Sequence, residues 1–437
     1  MKSLLKLSAR RTVPVDYRKI FVHLYLDVVW AGILNGSAIA FIAIYLSRIG
    51  SDVFEIGLLT AGPAAVALVL ALPAGWWLSR RPLTKSVFWS SVALRSFYLL
   101  WILVPSLLPA VAQRWTFVVM TFVMSIPGTA LAVGFNALYG EAVPSEWRAH
   151  VAGVRNGILS LTTLAASLLC GRVLTWLPMP TAYQVVFGIG FLGAALSSVH
   201  LYFVRPVAGG RPAAAETSLG DLSQPGLYRP AGDGTRHGVG LRFLTRGHPL
   251  RLPQVDILRG QYGRVMFCLL ILHFAQYLAI PLVPVLWVQH VHLSDSQISL
   301  GNAIMYVCVF LGSTQLAGLS RRLGHHKATV LGAGLMFLYP ALAALTRDMT
   351  LFLLTCAAGG LVWSVLGGAL GNYVLERVPA DNRPAYLAWY NVSLNAAVLV
   401  ASMVGPLLAR EWGIPTALAI SAVGRLLSGL ILWRWGR

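Results

Sequence analysis

Runs of about 20 predominantly apolar residues are the feature that most narrows what this chain can become, because a run of that length, wound as a helix, crosses the hydrocarbon core of a bilayer. Twelve such runs lie near 20–47, 55–79, 86–108, 114–139, 150–176, 181–204, 263–288, 296–320, 327–345, 350–374, 384–409 and 413–434. Turn-forming clusters separate them, among them Arg80-Arg81-Pro82, Val143-Pro144-Ser145-Glu146 and Pro379-Ala380-Asp381-Asn382. A water-soluble globule of 437 residues could not cover them all, since only 11% of the residues are charged, against about 25% in soluble domains. Lipid supplies the missing cover and requires each segment to satisfy its own backbone, as a helix does. The chain therefore reads as an all-α integral membrane protein. An ordinary soluble enzyme, a disulfide scaffold and a disordered chain are excluded. The first run is too long for the apolar part of a cleavable leader and is expected to remain as a span. Cys170, Cys268, Cys308 and Cys356 lie in apolar runs without metal-binding spacing and read as small core residues.

The formal net charge of +19 would point to nucleic acid in a soluble chain. Topology accounts for it instead. With the N-terminus in the cytoplasm, 26 of the 34 basic residues fall on the cytoplasmic side and 5 on the other, and Arg95, Arg155 and Arg425 fall inside spans. The expectation is a multi-pass protein of the cell membrane with both termini cytoplasmic, the lipid bilayer as its surroundings and no nucleic-acid partner. The Gly- and Pro-rich stretch 205–262 reads as a cytoplasmic linker, whose end from Leu252 to Tyr262 suits a short surface helix. It divides the chain into six-span halves at 1–204 and 263–437.

The halves repeat. Leu78-Ser79-Arg80-Arg81 after the second span returns as Leu319-Ser320-Arg321-Arg322 after the eighth, an offset of 241 residues. Glu141, Val143-Pro144, Arg148 and Asn156 return as Glu376, Val378-Pro379, Arg383 and Asn391, all at an offset of 235. Ser51-Asp52 and Ile56, opening the second span, resemble Ser294-Asp295 and Ile298, opening the eighth. In-order matches flanking corresponding spans indicate duplication.

With six plus six helices and a basic central loop, the chain resembles the major facilitator superfamily. That family's signature, G-x-x-x-D-[RK]-x-G-[RK]-[RK], is matched in part by Gly75 to Lys85 and again by Gly318 to Lys327. Ser79 and Ser320 stand where the Asp would be, and only the second copy keeps the later Gly, as Gly324. The fourth-span Arg of many proton-coupled members and the fifth-span Gly-Pro of many drug antiporters are missing; Gly405-Pro406 occurs in the eleventh span instead. The resemblance implies two pseudo-symmetric six-helix bundles, twelve transmembrane helices in all, moving a small organic solute by alternating access, as a monomer, with proton coupling left open and efflux given preference over uptake. The competing reading is a receptor or assembly factor of the same fold that does not transport; in it the central cavity would be filled by apolar side chains.

No acid–base pair at one depth, nucleophile motif or metal cluster stands out, so neither enzymatic activity nor a cofactor is expected. Gly188-Ile189-Gly190-Phe191-Leu192-Gly193 spells a dinucleotide-binding pattern but lies in an apolar span, where it reads as close helix packing. Gly32-x-x-x-Gly36 and Gly153-x-x-x-Gly157 read the same way. Asp27 is the only acid well inside a span, and an ionisable group there needs a partner or water. Arg95 and His23, one turn before it, are the candidates for an intramembrane pair that is mainly structural. Arg425 is expected to turn inward onto backbone carbonyls or to snorkel, with anion binding as the alternative.

The resemblance places the first, fourth, seventh and tenth helices around the cavity, with the second, fifth, eighth and eleventh at its sides. Midplane polar residues there become solute contacts: Asn35, Ser125, Thr129, Thr162, His273, Gln276, Tyr277, Tyr306, Trp363, Ser364 and Asn395. His273 and Gln276 are placed foremost, with Tyr277 on their face. Any pH dependence is assigned to His273, since imidazole ordinarily titrates near about pH 6.5. Pro281 and Pro284 are expected to kink the seventh span and free carbonyls. By the same resemblance, when the cytoplasmic mouth is closed Glu141 would meet Arg80, Arg81, Arg148 or Arg155, and Glu376 would meet Arg321, Arg322 or Arg383, as gating pairs.

Overall fold

The computed structural model describes residues 15–206, 255–378 and 383–436, so most of the linker assigned to 205–262 lies outside the described residues. Twelve helices are long and apolar enough to cross a membrane: α1 Tyr17–Arg48, α2 Val53–Ser79, α3 Leu83–Leu107, α4 Ala110–Ala142, α5 His150–Trp176, α6 Thr181–Phe203, α7 Gln261–His290, α8 Asp295–Gln315, α9 Arg322–Leu345, α10 Met349–Glu376, α11 Tyr386–Trp412 and α12 Ile414–Trp435. Each falls on one of the twelve apolar runs, and there is no strand among the described residues. An even number of spans returns both ends to one side, called here the termini side; the opposite is the far side.

Large apolar side chains stand exposed along α3 (Leu99, Leu103, Leu107), α6 (Leu192, Val199, Phe203) and α12 (Val423, Leu427, Leu430). In water that surface would be an aggregation liability; in lipid it is the solvated face.

The duplication reappears as packing. In the first half α1 packs on α5 and α6, α4 on α2 and α3, and α3 on α6; in the second α7 packs on α11 and α12, α10 on α8 and α9, and α9 on α12. The helix starts also correspond. Asp52 caps α2, accepting from the Glu55 N–H at 2.8 Å while Glu55 accepts from the Asp52 N–H. Ser294 and Gln297 do the same for α8. These reciprocal boxes align Asp52 with Ser294, so the correspondence of Asp52 with Asp295 expected from the sequence moves by one residue and Asp295 is released for another contact. Gly324, at φ +75°, kinks the chain at the start of α9, a conformation favourable to glycine.

The glycine patterns divide. A Cβ on Gly36 would run into the α5 backbone at Thr163, one on Gly190 into Ala38, and one on Gly193 into the Trp30 carbonyl, as close packing requires. Gly153 and Gly157 depart from expectation, because nothing lies within 4 Å of a Cβ at either. They face open space on the termini-side half of α5.

Candidate functional site

Two buried charge centres lie within the bundles, one in each half. In the first, Asp27 of α1 is 4% exposed. Its nearest cation is Arg155 of α5, at 3.2 Å, with Arg95 of α3 at 4.0 Å. Arg155 takes Oδ2, and Ser197 of α6 donates to Oδ1, the oxygen that Arg95 approaches. Arg95 donates to Ser198 at 2.9 Å, and the Arg155 guanidinium lies 4.9 Å from the Phe135 ring centre. Four helices are thereby tied to one carboxylate. His23 does not join: its ring pairs with His200 at 3.1 Å and stacks on Phe203. Arg155, one of four partners offered for Glu141 by the resemblance, belongs to Asp27 because the azimuth of α5 turns it into the bundle.

In the second half, Arg425 of α12 is 3% exposed and donates to the carbonyls of Ala275 (3.3 Å), Gln276 (2.7 Å) and Met336 (3.3 Å). Prolines explain two of these acceptors. Pro340 has no N–H to return to Met336 one turn earlier. Pro281 likewise leaves the Tyr277 carbonyl without its helical donor; that carbonyl takes the Ile280 N–H, and Gln276 is left for Arg425. The interruption expected at Pro281 is present: the regular part of α7 stops at Ala279, and a π-helical stretch covers Leu286–His290.

Arg425 lines a cavity of about 70 Å³ with Gln276, Ile280, Met305, Tyr339 and Trp363 among its neighbours. The cavity lies between α7, α8, α9, α10 and α12. Of the residues singled out as solute contacts, it gathers Gln276 and Trp363. His273 stands beside them, its Nδ1 3.4 Å from Gln276 Oε1 and its Nε2 3.1 Å from the Tyr390 hydroxyl. Asn35 lies in a π-helical stretch of α1, half-buried like Tyr277 and Tyr306. The remaining candidates turn back on their own helices. Thr129 donates to the Ser125 carbonyl (2.8 Å), Thr162 to Ile158 (2.9 Å), Ser364 to Leu361 (2.6 Å) and Asn395 to Asn391 (2.9 Å), and Ser125 likewise donates to Thr121. Gly32 and Gly312 pack directly on Thr162 and Ser364. Depth in a span had selected these residues, but local hydrogen bonding and helix packing occupy them.

The pairs expected of a closed cytoplasmic mouth are not formed among the described residues. Glu141 is exposed and has no ion pair among the described residues. Arg80 and Arg81 lie over the rings of Trp76 and Trp77, at 3.8 and 5.0 Å. Arg148 is buried against the end of α4, donating to the carbonyls of Gly140 (2.6 Å) and Val143 (3.0 Å). There the cation meets the negative end of the helix. Glu376 meets His325 at 3.8 Å. Arg322 is exposed, and the side chains of Arg321 and Arg383 lie outside the described residues.

Sequence reasoning missed the polar joint on the far side. Arg48, ending α1, reaches Asp295, starting α8, at 3.0 Å and also donates to the Leu293 carbonyl. Gln289 of α7 donates to the carbonyls of Ser47 (3.0 Å) and Ser51 (2.9 Å). Deeper, Ser299 of α8 donates to the Ser167 carbonyl of α5 at 2.6 Å, and Gly57 of α2 packs on Ser402 of α11. These polar ties between the halves all lie on the far half of the molecule; on the termini-side half, among the described residues, α2 and α11 meet only through apolar packing at Ala71 and Ala388. The available signal was weak: Arg48 is one of five basic residues on that side, and Asp52 and Asp348 stand at span starts there as Asp295 does.

The family model described as the Major Facilitator Superfamily matches residues 28–255 and 265–437. No curated protein matches the chain. Among solved structures, a bacterial homologue of the iron transporter ferroportin in an inward-facing state superposes with a TM-score of 0.69 at 15% identity, covering 95% of this chain and 98% of that one. A D-xylose–proton symporter gives 0.69 at 14% identity, over 95% and 97% of the two chains. The nucleoside transporter NupG gives 0.63 at 12%, over 96% and 99%.

Proposed function

The chain belongs to the major facilitator superfamily, and from that membership we propose that it is a secondary transporter carrying a small organic solute across the cell membrane by alternating access. The observation that carries the reading is the asymmetry of the joint between halves. Arg48, Asp295 and Gln289 hold the far side together. On the termini side Glu141 and Glu376 are exposed, and Gly153 and Gly157 face open space. A carrier with one mouth shut and the other open has this form. The positive-inside bias makes the termini side cytoplasmic, and the state is then inward-facing. A cavity inside the second bundle, mostly apolar but reached by Arg425 and Gln276, leaves room that a scaffold packed solid would not have.

The test is solute uptake and efflux in reconstituted vesicles, with and without a pH gradient, export being tried first. Saturable flux that requires the protein supports the reading; its absence across neutral and singly charged organic solutes sinks it. Any proton coupling is placed on His273 rather than Asp27, because Asp27 is held by two arginines and a serine. His273→Gln should then flatten the pH dependence of flux, and an unchanged profile removes His273 from the cycle.

A further inference from the structure

The cavity of the second bundle holds an unbalanced charge. Three carbonyls engage Arg425, one each through Nε, Nη1 and Nη2. A guanidinium has five N–H groups, so one remains on each terminal nitrogen. Carbonyls supply partial charge only, and no carboxylate pairs with Arg425 among the described residues. In the same cavity the Tyr339 hydroxyl is buried without a hydrogen-bond partner. The nearby wall formed by Ile280, Val283 and Met305 is apolar.

We propose that this cavity is a subsite for a carboxylate group at the end of an otherwise apolar solute. Arginine suits a planar carboxylate, and the Tyr339 hydroxyl supplies a further donor. A single cation balances one negative charge; a dianion would leave the second buried and uncompensated. The apolar wall suits the carbon skeleton next to the carboxylate. Size limits what enters: about 70 Å³ is roughly half the 150 Å³ or so of an engineered void that accommodates benzene. The cavity therefore receives an end group, with the rest of the solute lying outside it. The proposal deepens the transporter reading and rests on it for its biological role, but binding is measurable without flux.

The experiment follows thermal unfolding of the purified full-length protein in detergent while sodium benzoate or sodium butyrate is titrated, with benzamide, butyramide and sodium chloride as controls. A ligand that binds the folded state raises the midpoint by mass action. The carboxylates should stabilise saturably, and the amides and chloride should not. Tyr339→Phe removes an unpartnered hydroxyl without emptying the site; it should weaken carboxylate affinity about tenfold, as expected for a lost hydrogen bond to a charged group. Arg425→Lys, which keeps the charge but loses the planar fork, should weaken it further. Since Arg425 also holds broken helices, Tyr339→Phe is the deciding variant. Amides or chloride acting as strongly as the carboxylates, or Tyr339→Phe binding like the parent, overturns the proposal. Carboxylate binding without flux of any solute would count against the transporter reading alone. Flux of an uncharged solute without carboxylate binding would count against this subsite alone.

Discussion

In the first half a buried carboxylate sits between two arginines, whereas in the second, among the described residues, a single buried arginine rests on backbone carbonyls with no carboxylate at hand. The two halves share a packing scheme, so the fold itself does not dictate how charge is handled. What differs is the state of the helices around each centre. The charges around Asp27 hold four helices together side chain to side chain. Arg425 supplies donors to carbonyls that Pro281 and Pro340 leave short in α7 and α9. The first centre is a clasp, and the second is a repair whose leftover charge faces a cavity.

The largest effect expected from this difference is at Asp27. Asp27→Asn leaves Arg95 and Arg155 buried as like charges, and breaking a buried pair in this way costs about 3–5 kcal/mol. The thermal midpoint of the purified protein should fall sharply, and adding Arg155→Met should restore part of it. If the single variant unfolds like the parent, the first centre is not a clasp.

Arg425→Met sharpens the contrast. It removes a charge and three donors together; the Ala275 carbonyl keeps the Ser421 hydroxyl, so penalties of about 1–3 kcal/mol each at the Gln276 and Met336 carbonyls are offset in part by no longer burying a cation. The loss of stability should be smaller than for Asp27→Asn in the same unfolding measurement. The reverse order would make Arg425 the main fastener and the comparison wrong.

The spans and the duplication were legible in the sequence because each depends on chain-local signals: apolar length, turn residues and recurring loop motifs. Asp27 was legible as a lone acid, and Arg95 as a partner at reachable depth. The pairing of Asp27 with Arg155 was not, because it depends on the rotation of α5 about its axis, which loop motifs do not fix. Arg425 lining a cavity with Tyr339 and Gln276 depends in the same way on how five helices pack. Ser125, Thr129, Thr162 and Asn395 misled because depth says nothing about whether a side chain bonds to its own helix. Arg48 and Asp295 are 247 residues apart, and only the closed joint brings them together.

That joint carries the next effect. Arg48 and Asp295 are partly exposed, with side-chain accessibilities of 23% and 13%, so the pair is worth at most about 1 kcal/mol after solvent screening. Asp295→Asn should therefore shift the balance toward a far-side-open state by up to about fivefold. The measurement is the reaction rate of a cysteine introduced as Ser47→Cys with a membrane-impermeant thiol reagent, since Ser47 is now buried under the Gln289 contact. An unchanged rate means that the pair decorates a joint closed by apolar packing.

The smallest effect concerns the face of α5 that carries Gly153, Gly157, Ser167 and Gly171 at helical spacing. At the far end a Cβ on Gly171 would strike the Ser299 side chain of α8, while on the termini side Gly157 has nothing within 4 Å. The same face is thus used at one end and idle at the other. Alternating access would exchange the two ends, bringing the termini-side part of α5 against a neighbour as the far side separates. Gly157→Ala should then be harmless in the present state, adding a helix-propensity gain of at most about 1 kcal/mol, and should oppose the exchanged state by overfilling a close contact. Gly171→Ala should act in the opposite sense. Labelling at Ser47→Cys should slow with Gly157→Ala and quicken with Gly171→Ala. If both alanines move the rate in the same direction, the inner glycines never meet another helix, and the two ends of α5 do not trade places.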